Sequence, residues 1–128
     1  MSKVIATEAA PPSFSNYAQA VEVRAHARTL QISGQVGVRL DGSLPEDMVA
    51  QHEQTWQNIF AILEAAGMKK TDIVDVLAVV SDHSGVPVFR EVRDRMLEGH
   101  VACSTLLVCG LASPDWKVEI KVRAARAG

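Results

Sequence analysis

The run Ile73-Val74-Asp75-Val76-Leu77-Ala78-Val79-Val80 is apolar on both of its alternating faces. Successive side chains of a strand point to opposite sides of the sheet. Here Ile73, Leu77 and Val79 form one set and Val74, Val76, Ala78 and Val80 the other. Leu106 and Val108 stand against Leu107 and Cys109 in the same manner. Strands of this kind belong in the middle of a sheet, with cover on both faces. The chain has only two helical stretches, and two helices cover one face of a sheet. An uncovered apolar face is rarely tolerated by a monomer, so a homo-oligomer that buries the far face is expected, a ring where the contact is heterologous. The alternative is one very hydrophobic strand pair under a long loop.

The rest of the chain supplies the elements around that strand. Val4 and Ile5 suit a short edge strand before Pro11-Pro12. Ala20 to His26 and Arg28 to Val38 alternate with period two, which predicts two half-buried strands forming a hairpin near Ala27. Ser43-Leu44-Pro45-Glu46 has a hydroxyl cap, a carboxylate three residues on and a proline in the first turn, as at a helix start. Met48/Val49, His52, Trp56, Ile59/Phe60 and Leu63 then recur at helical spacing, and Gly67 stops the helix. Asp72 to Ser81 reads as a strand. Ser84 to Glu98 reads as a second helix with the stripe Val88, Phe89, Val92, Met96, ended by Gly99. Two β-type runs joined by a turn close the chain, with Cys103 and Cys109 on the first and Glu119 on the second. The order β-β-β-α-β-α-β-β, with no repeat or linker across residues 1–128, predicts a single α+β domain: a mixed sheet with two helices on one face.

Bulk properties narrow the function classes. With 128 residues and a net charge of −2 there is no broad basic field, so non-specific nucleic-acid binding is disfavoured. Two cysteines six residues apart, without Cys or His at metal spacing, argue against a disulfide scaffold or a zinc module and fit reduced thiols. No metal or cofactor is expected. The longest apolar run, Val76 to Val80, is far below the roughly 20 residues of a membrane span. The N-terminus lacks a secretory apolar segment. A soluble, cytoplasmic protein is expected.

Several segments, in register along nearly the whole chain, resemble the RidA (YjgF, L-PSP) family. They are Ile5-Ala6-Thr7 before Ala10-Pro11, Tyr17-Ala18-Gln19-Ala20-Val21, and Ile32-Ser33-Gly34-Gln35-Val36. Gln57-Asn58-Ile59 through Leu63-Glu64-Ala65-Ala66-Gly67, then Asp72-Ile73-Val74, and finally Val118-Glu119-Ile120 complete the set. The resemblance implies a chorismate-mutase-like α+β fold, a homotrimer and clefts between neighbouring subunits. It also implies hydrolysis of a reactive imine or enamine to a keto acid and ammonia, without a cofactor. Tyr17, Ser33 and Glu119 carry over as pocket residues, with Glu119 positioning water. The family's carboxylate-holding arginine, in an Arg-Ser-x-Val segment, does not carry over: Cys103 occupies its place in Ala102-Cys103-Ser104-Thr105. Arg24, Arg28 and Arg123 are the arginines that a neighbouring subunit could bring in its stead.

The residues themselves leave alternatives open. Cys103 reads as an apolar filler, as the lining of an altered pocket with Thr105, or as an activated nucleophile needing a lowered pKa. Glu119 as a neighbour would raise that pKa instead. By spacing alone, Glu119 is one rung of a solvated ladder with Lys117, Lys121 and Arg123, opposite Trp116, Val118, Ile120 and Val122. Ser33-Gly34 reads as strand beside a close backbone approach, and Tyr17 as a packed loop aromatic or a hydrogen-bonding pocket residue. Cys109 is expected in the core. His26, His52 and His83 lack ligand-spaced partners and read as surface or helix-face residues.

The leading expectation is a deaminase-type hydrolase of small C–N compounds, with Glu119 and Cys103 as candidate catalytic groups and Tyr17, Ser33, Gly34 and Thr105 holding substrate. The alternative is a non-catalytic small-molecule-binding or protein-interaction trimer. Endoribonuclease activity ranks third, since the charge is weakly acidic and no acid/base histidine pair is evident.

Overall fold

The computed structural model describes residues 2–128. In chain order the elements are β1 (Ser2–Ile5), β2 (Ala20–Val23), β3 (Ala27–Gln35), α1 (Met48–Ala65), a single 3-10 turn at Lys70–Asp72, β4 (Ile73–Val80), α2 (Gly85–Met96), β5 (Cys103–Val108) and β6 (Val118–Ala127). Four strands form a mixed sheet in the order β3-β6-β4-β5, and β1 and β2 pair separately as a two-stranded ribbon.

α1 and α2 lie on the same face of the sheet. Trp56, Ile59 and Leu63 from α1 and Phe89 and Val92 from α2 are buried against Ile32, Val76, Ala78, Val80, Val118, Ile120, Val122 and Ala124. Each large side chain so buried contributes about 1.5–3 kcal/mol of transfer free energy. Leu77 and Leu107, whose parity puts them on the other face, stay 38% and 49% exposed. One face is therefore a core and the other is open in the single chain.

Three local expectations are corrected. β2 and β3 do not form a hairpin: β2 pairs with β1, Ser2 facing Val23, and β3 pairs with β6, Ala27 facing Ala127. His26 turns the chain between them with a φ of 65°. The ten-residue β6 offers β3 a longer partner than the four-residue β2, and that pairing brings Leu30 and Ile32 under α1. The helix start is not at Ser43. Asp47 caps α1, its carboxylate accepting from Ala50 N–H at 2.9 Å, while Ser43 is held in a loop by Asp41. Proline at 45 steers Leu44 away from helical backbone, and the Pro45 carbonyl accepts from the buried Gln51 side chain instead. Finally, Cys109 is exposed, not core. It lies just past the end of β5, on the parity of Leu107, where no described residue covers it.

Other boundaries agree with the periodicity. Gly67, at φ 71°, ends α1 in a Schellman arrangement, with Met68 N–H donating to Leu63 and Gly67 N–H to Glu64. β4 runs from Ile73 to Val80, with a bulge between Ile73 and Asp75. His52 is a helix-face residue, and its face is the buried one.

Two side chains of α1 fix the segments that carry candidate site residues. Asn58 donates to the carbonyls of Val36 and Val38 at 3.0 and 2.9 Å, holding the end of β3. Gln51 accepts from Lys117 N–H at 2.9 Å and donates to the Asp115 carbonyl, holding the start of β6 just before Glu119. Gly37 lets the backbones approach: a Cβ there would lie 2.6 Å from the Gln51 carbonyl oxygen.

Candidate functional site

The two closing strands are not neighbours, because β4 runs between them. Glu119 faces Val79, which faces Leu107, whereas Cys103 faces Asp75 four residues earlier. Two strand spacings of about 4.8 Å and four residues of about 3.3 Å rise separate Cys103 from Glu119 by roughly 16 Å within one chain. The same reckoning puts Thr105 roughly 12 Å from Glu119. The sequence-predicted residues therefore divide into two groups.

The first group sits where β3 meets β6. A register shift between Ile32 and Gln35 brings Gly34 directly over Glu119. A Cβ built on Gly34 would collide with Glu119 Oε2 and lie 2.9 Å from its Cδ. Glycine is what lets the carboxylate lie against β3 at this point. Glu119 is half-buried, and among the described residues its carboxylate makes no ion pair within 4 Å. Lys121 and Arg123 share its face and, with Gln31, Asp75 and Leu77, line a shallow cavity of about 130 Å³.

The second group gathers at β5, the outer strand of the sheet. Ala18 N–H donates to the Ala102 carbonyl at 2.9 Å, which ties the Tyr17 segment to the start of β5. Gln19 laces the preceding loop: it accepts from Thr7 N–H at 2.7 Å and donates to the Thr7 and Pro11 carbonyls. Tyr17 Oη accepts from Phe14 N–H at 3.3 Å. Beside it, Tyr17, Val4, Pro12, Gln19 and Val101 help to line a broad, mainly apolar cavity of about 650 Å³.

Cys103 is half-buried. Burial pushes its thiol pKa up, the Asp75 carboxylate opposite adds to the rise, and a hydrogen bond with the Val21 backbone opposes both. An activated nucleophile needs the opposite shift. The carboxylate that raises the thiol pKa is Asp75, not Glu119. His100 is turned elsewhere, with Nε2 2.8 Å from the Ile73 carbonyl.

Of the arginines singled out from the sequence, Arg28 is engaged at the end of α1, donating to the Ala66 carbonyl at 3.0 Å, and Arg123 lies on the open face. Arg24 lies in the exposed turn after β2. Two others, missed in the sequence, stand at the second group. Arg90 and Arg93 of α2 line a cavity of about 180 Å³ with Tyr17 and Ser104. Their i,i+3 spacing was the available signal; that Arg93 is buried could not be read from it. Among the described residues no cluster of three His, Cys, Asp or Glu side chains is placed to hold a metal ion, and no helix is long and apolar enough to cross a membrane.

Comparison with known proteins places this geometry. The family described as Endoribonuclease L-PSP matches residues 7–126. The chain is 34% identical to the 2-iminobutanoate/2-iminopropanoate deaminase of Escherichia coli K12, over 98% of this chain and 99% of that one. Its fold is similar to that of YyfB, a protein of the conserved Rid family from Yersinia pestis, with a TM-score of 0.85 and 30% identity over 98% of both chains. It is similar also to the YjgF gene product of Escherichia coli, with a TM-score of 0.72 and 32% identity over 97% of this chain and 98% of that one. A homologue that matches over nearly the whole chain is thus named a 2-iminobutanoate/2-iminopropanoate deaminase, and the solved structures of the family share this α+β fold. The chain belongs to the RidA/YjgF/L-PSP family.

Proposed function

We propose that this protein is a cofactor-free, cytoplasmic deaminase that hydrolyses a small imine or enamine in clefts between the copies of a homotrimer. The observation that carries the reading is the carboxylate of Glu119, laid against Gly34 and, among the described residues, without an ion-pair partner. Cys103 and Thr105 stand too far from it, by strand register, to close one pocket within a single chain. A neighbouring copy whose β5 edge faced this β3–β6 corner would join the two groups, and would also cover Leu77 and Leu107, which are otherwise exposed.

In such a cleft the chemistry needs one carboxylate. Water attacks the carbon of a protonated imine, the new C–O bond forms, and Glu119 accepts the water proton. The resulting carbinolamine nitrogen takes that proton back, the C–N bond breaks with its electron pair leaving on ammonia, and the hydroxyl proton passes to Glu119 as the keto group forms. Tyr17, Ser33 and Thr105 orient the substrate, and Cys103 lines the wall as a neutral thiol. The name of the 34% identical relative supports a short 2-imino acid as substrate.

The test is turnover of freshly generated 2-iminobutanoate, followed by loss of the imine. Glu119→Gln is expected to lose about 10²–10⁴-fold in rate, the usual contribution of a positioned acid or base, at unchanged melting temperature. Full activity in that variant would end the reading. Cys103 in the place of the family's arginine favours a second one, a trimer that binds small molecules without turning them over. Saturable binding with no turnover across a panel of imines would select it.

A further inference from the structure

We propose that Gln51 of α1 is a positioning residue for Glu119, its buried amide standing in for the strand that β3 fails to supply beside the start of β6. On the β3 side the ladder ends at the pair of Gln35 with Ile120, one residue past Glu119. From Ile32 to Gln35, three steps along β3 match two along β6, so the ladder is already irregular where Gly34 meets the carboxylate. β4 holds the other side of β6 as far as the pair of Val80 with Val118. Trp116, Lys117 and Val118 therefore lead into Glu119 unpaired with β3.

Gln51 fills that place. Its side chain is buried, with Oε1 accepting from Lys117 N–H at 2.9 Å and Nε2 donating to the Asp115 carbonyl at 3.2 Å. Those are the N–H and C=O on either side of Trp116, the two groups that one residue of an adjacent parallel strand would bond. Nε2 also donates to the Pro45 carbonyl at 2.9 Å, so both polar atoms of the amide are engaged. The same residue meets the continuation of β3, since a Cβ on Gly37 would lie 2.8 Å from Gln51 Cα. Asn58, two turns further along α1 and on the same helix face, donates to the Val36 and Val38 carbonyls on either side of Gly37. One helix face thus sets where β3 leaves, and where β6 enters, the corner at which Gly34 and Glu119 meet. Gln51 lies on the helix side of the sheet and Glu119 on the opposite parity, so Gln51 acts through the backbone and not on substrate. The effect on catalysis rests on the deaminase reading; the effect on the geometry of the corner does not.

The experiment compares wild type with Gln51→Asn and with Val92→Ala, a core truncation on α2, which carries none of these bonds. Turnover of freshly generated 2-iminobutanoate gives kcat and KM at a temperature where melting curves show each protein folded. The resonances of the Gly34 amide and the Glu119 carboxyl carbon report on the corner directly. Shortening the amide by one methylene is expected to lower kcat about 10–100-fold, the range for a mispositioned catalytic group, with KM nearly unchanged, and to move both resonances. Val92→Ala should lower the melting temperature and leave kcat and both resonances as in wild type. Where Gln51→Asn does not fold, Gln51→Glu takes its place with the same expected direction, because it keeps the acceptor for Lys117 N–H and loses the donors. Wild-type kcat in a folded Gln51 variant would overturn the proposal, as would an equal loss in Val92→Ala. If wild type turns over no imine, or Glu119→Gln matches it, the deaminase reading fails by itself. Unmoved resonances would then overturn the positioning separately.

Discussion

The two faces of the β3-β6-β4-β5 sheet are made from the same strands and have opposite characters. On the helix side, Val76, Ala78, Val80, Val118, Ile120 and Val122 are at most 1% exposed, beneath Trp56, Ile59 and Phe89. On the other side, Leu77, Val79, Thr105 and Leu107 share their surface with Glu119, Lys121 and Arg123. The lesson is that the inner face holds the fold together within one chain, whereas the outer face leaves Leu77 and Leu107 uncovered in it and, on the function proposed above, is where the chemistry lies. On that proposal, stability and function are separated by the thickness of one sheet.

The largest effect that tests this contrast is on the core. Trp56→Ala should cost about 3–5 kcal/mol of unfolding free energy, measured by urea titration against the wild type at the same protein concentration. Leu77→Asp, on the outer face, should instead lower the solution mass and make the melting temperature depend on concentration, as for any assembly whose stability is coupled to association. A wild-type protein with the mass of one chain would break the comparison, because the outer face would then be open in solution too.

A smaller effect sharpens it at the site. Gly34→Ala should displace the flexible Glu119 side chain without opening the core. Turnover is therefore expected to fall about 10–100-fold, the range seen when a catalytic group is mispositioned, while the melting temperature changes little. An alanine variant as active as wild type would show that the carboxylate lying against β3 is not the working one.

The smallest effect concerns His52, buried in the inner face with Nδ1 2.9 Å from the Met48 carbonyl and Nε2 unpartnered. Burial lowers its pKa from 6.5, and the Met48 contact opposes that only in part. The neutral ring is the form the fold accepts. Its contribution to stability is complete above 6.5, the unfolded value, and is lost as pH falls below 6.5 towards the lower folded pKa. Unfolding titrations between pH 8 and pH 5, roughly spanning that window, should show a fall in the wild type that His52→Leu reduces. An identical pH slope in both proteins would remove His52 from the account.

Much of this was legible in the residues. The helical stripes around Trp56 and Phe89, the stop at Gly67, the two-faced apolar strand Ile73–Val80 and the family landmarks all report local periodicity or local backbone demand, which a sequence states directly. The site was legible only as a list: Tyr17, Ser33, Gly34, Cys103, Thr105 and Glu119 could be named, but not grouped. Cys103 and Glu119 lie close in sequence and on opposite sides of β4, because a parallel β5 needs a crossover through α2 and an antiparallel β6 does not.

What the sequence determined by itself was therefore the set of elements, the apolar stripes of the helices and the family. Only the tertiary structure decided that β3 pairs with β6, that β4 lies between β5 and β6, that Asp75 is the carboxylate facing Cys103, and that Arg93 is buried beside Tyr17. The physical reason is that periodicity says which side of an element is apolar, whereas pairing and charge burial depend on which distant segment gains most by covering it. That competition is settled among all segments at once, and no stretch of the chain records it alone.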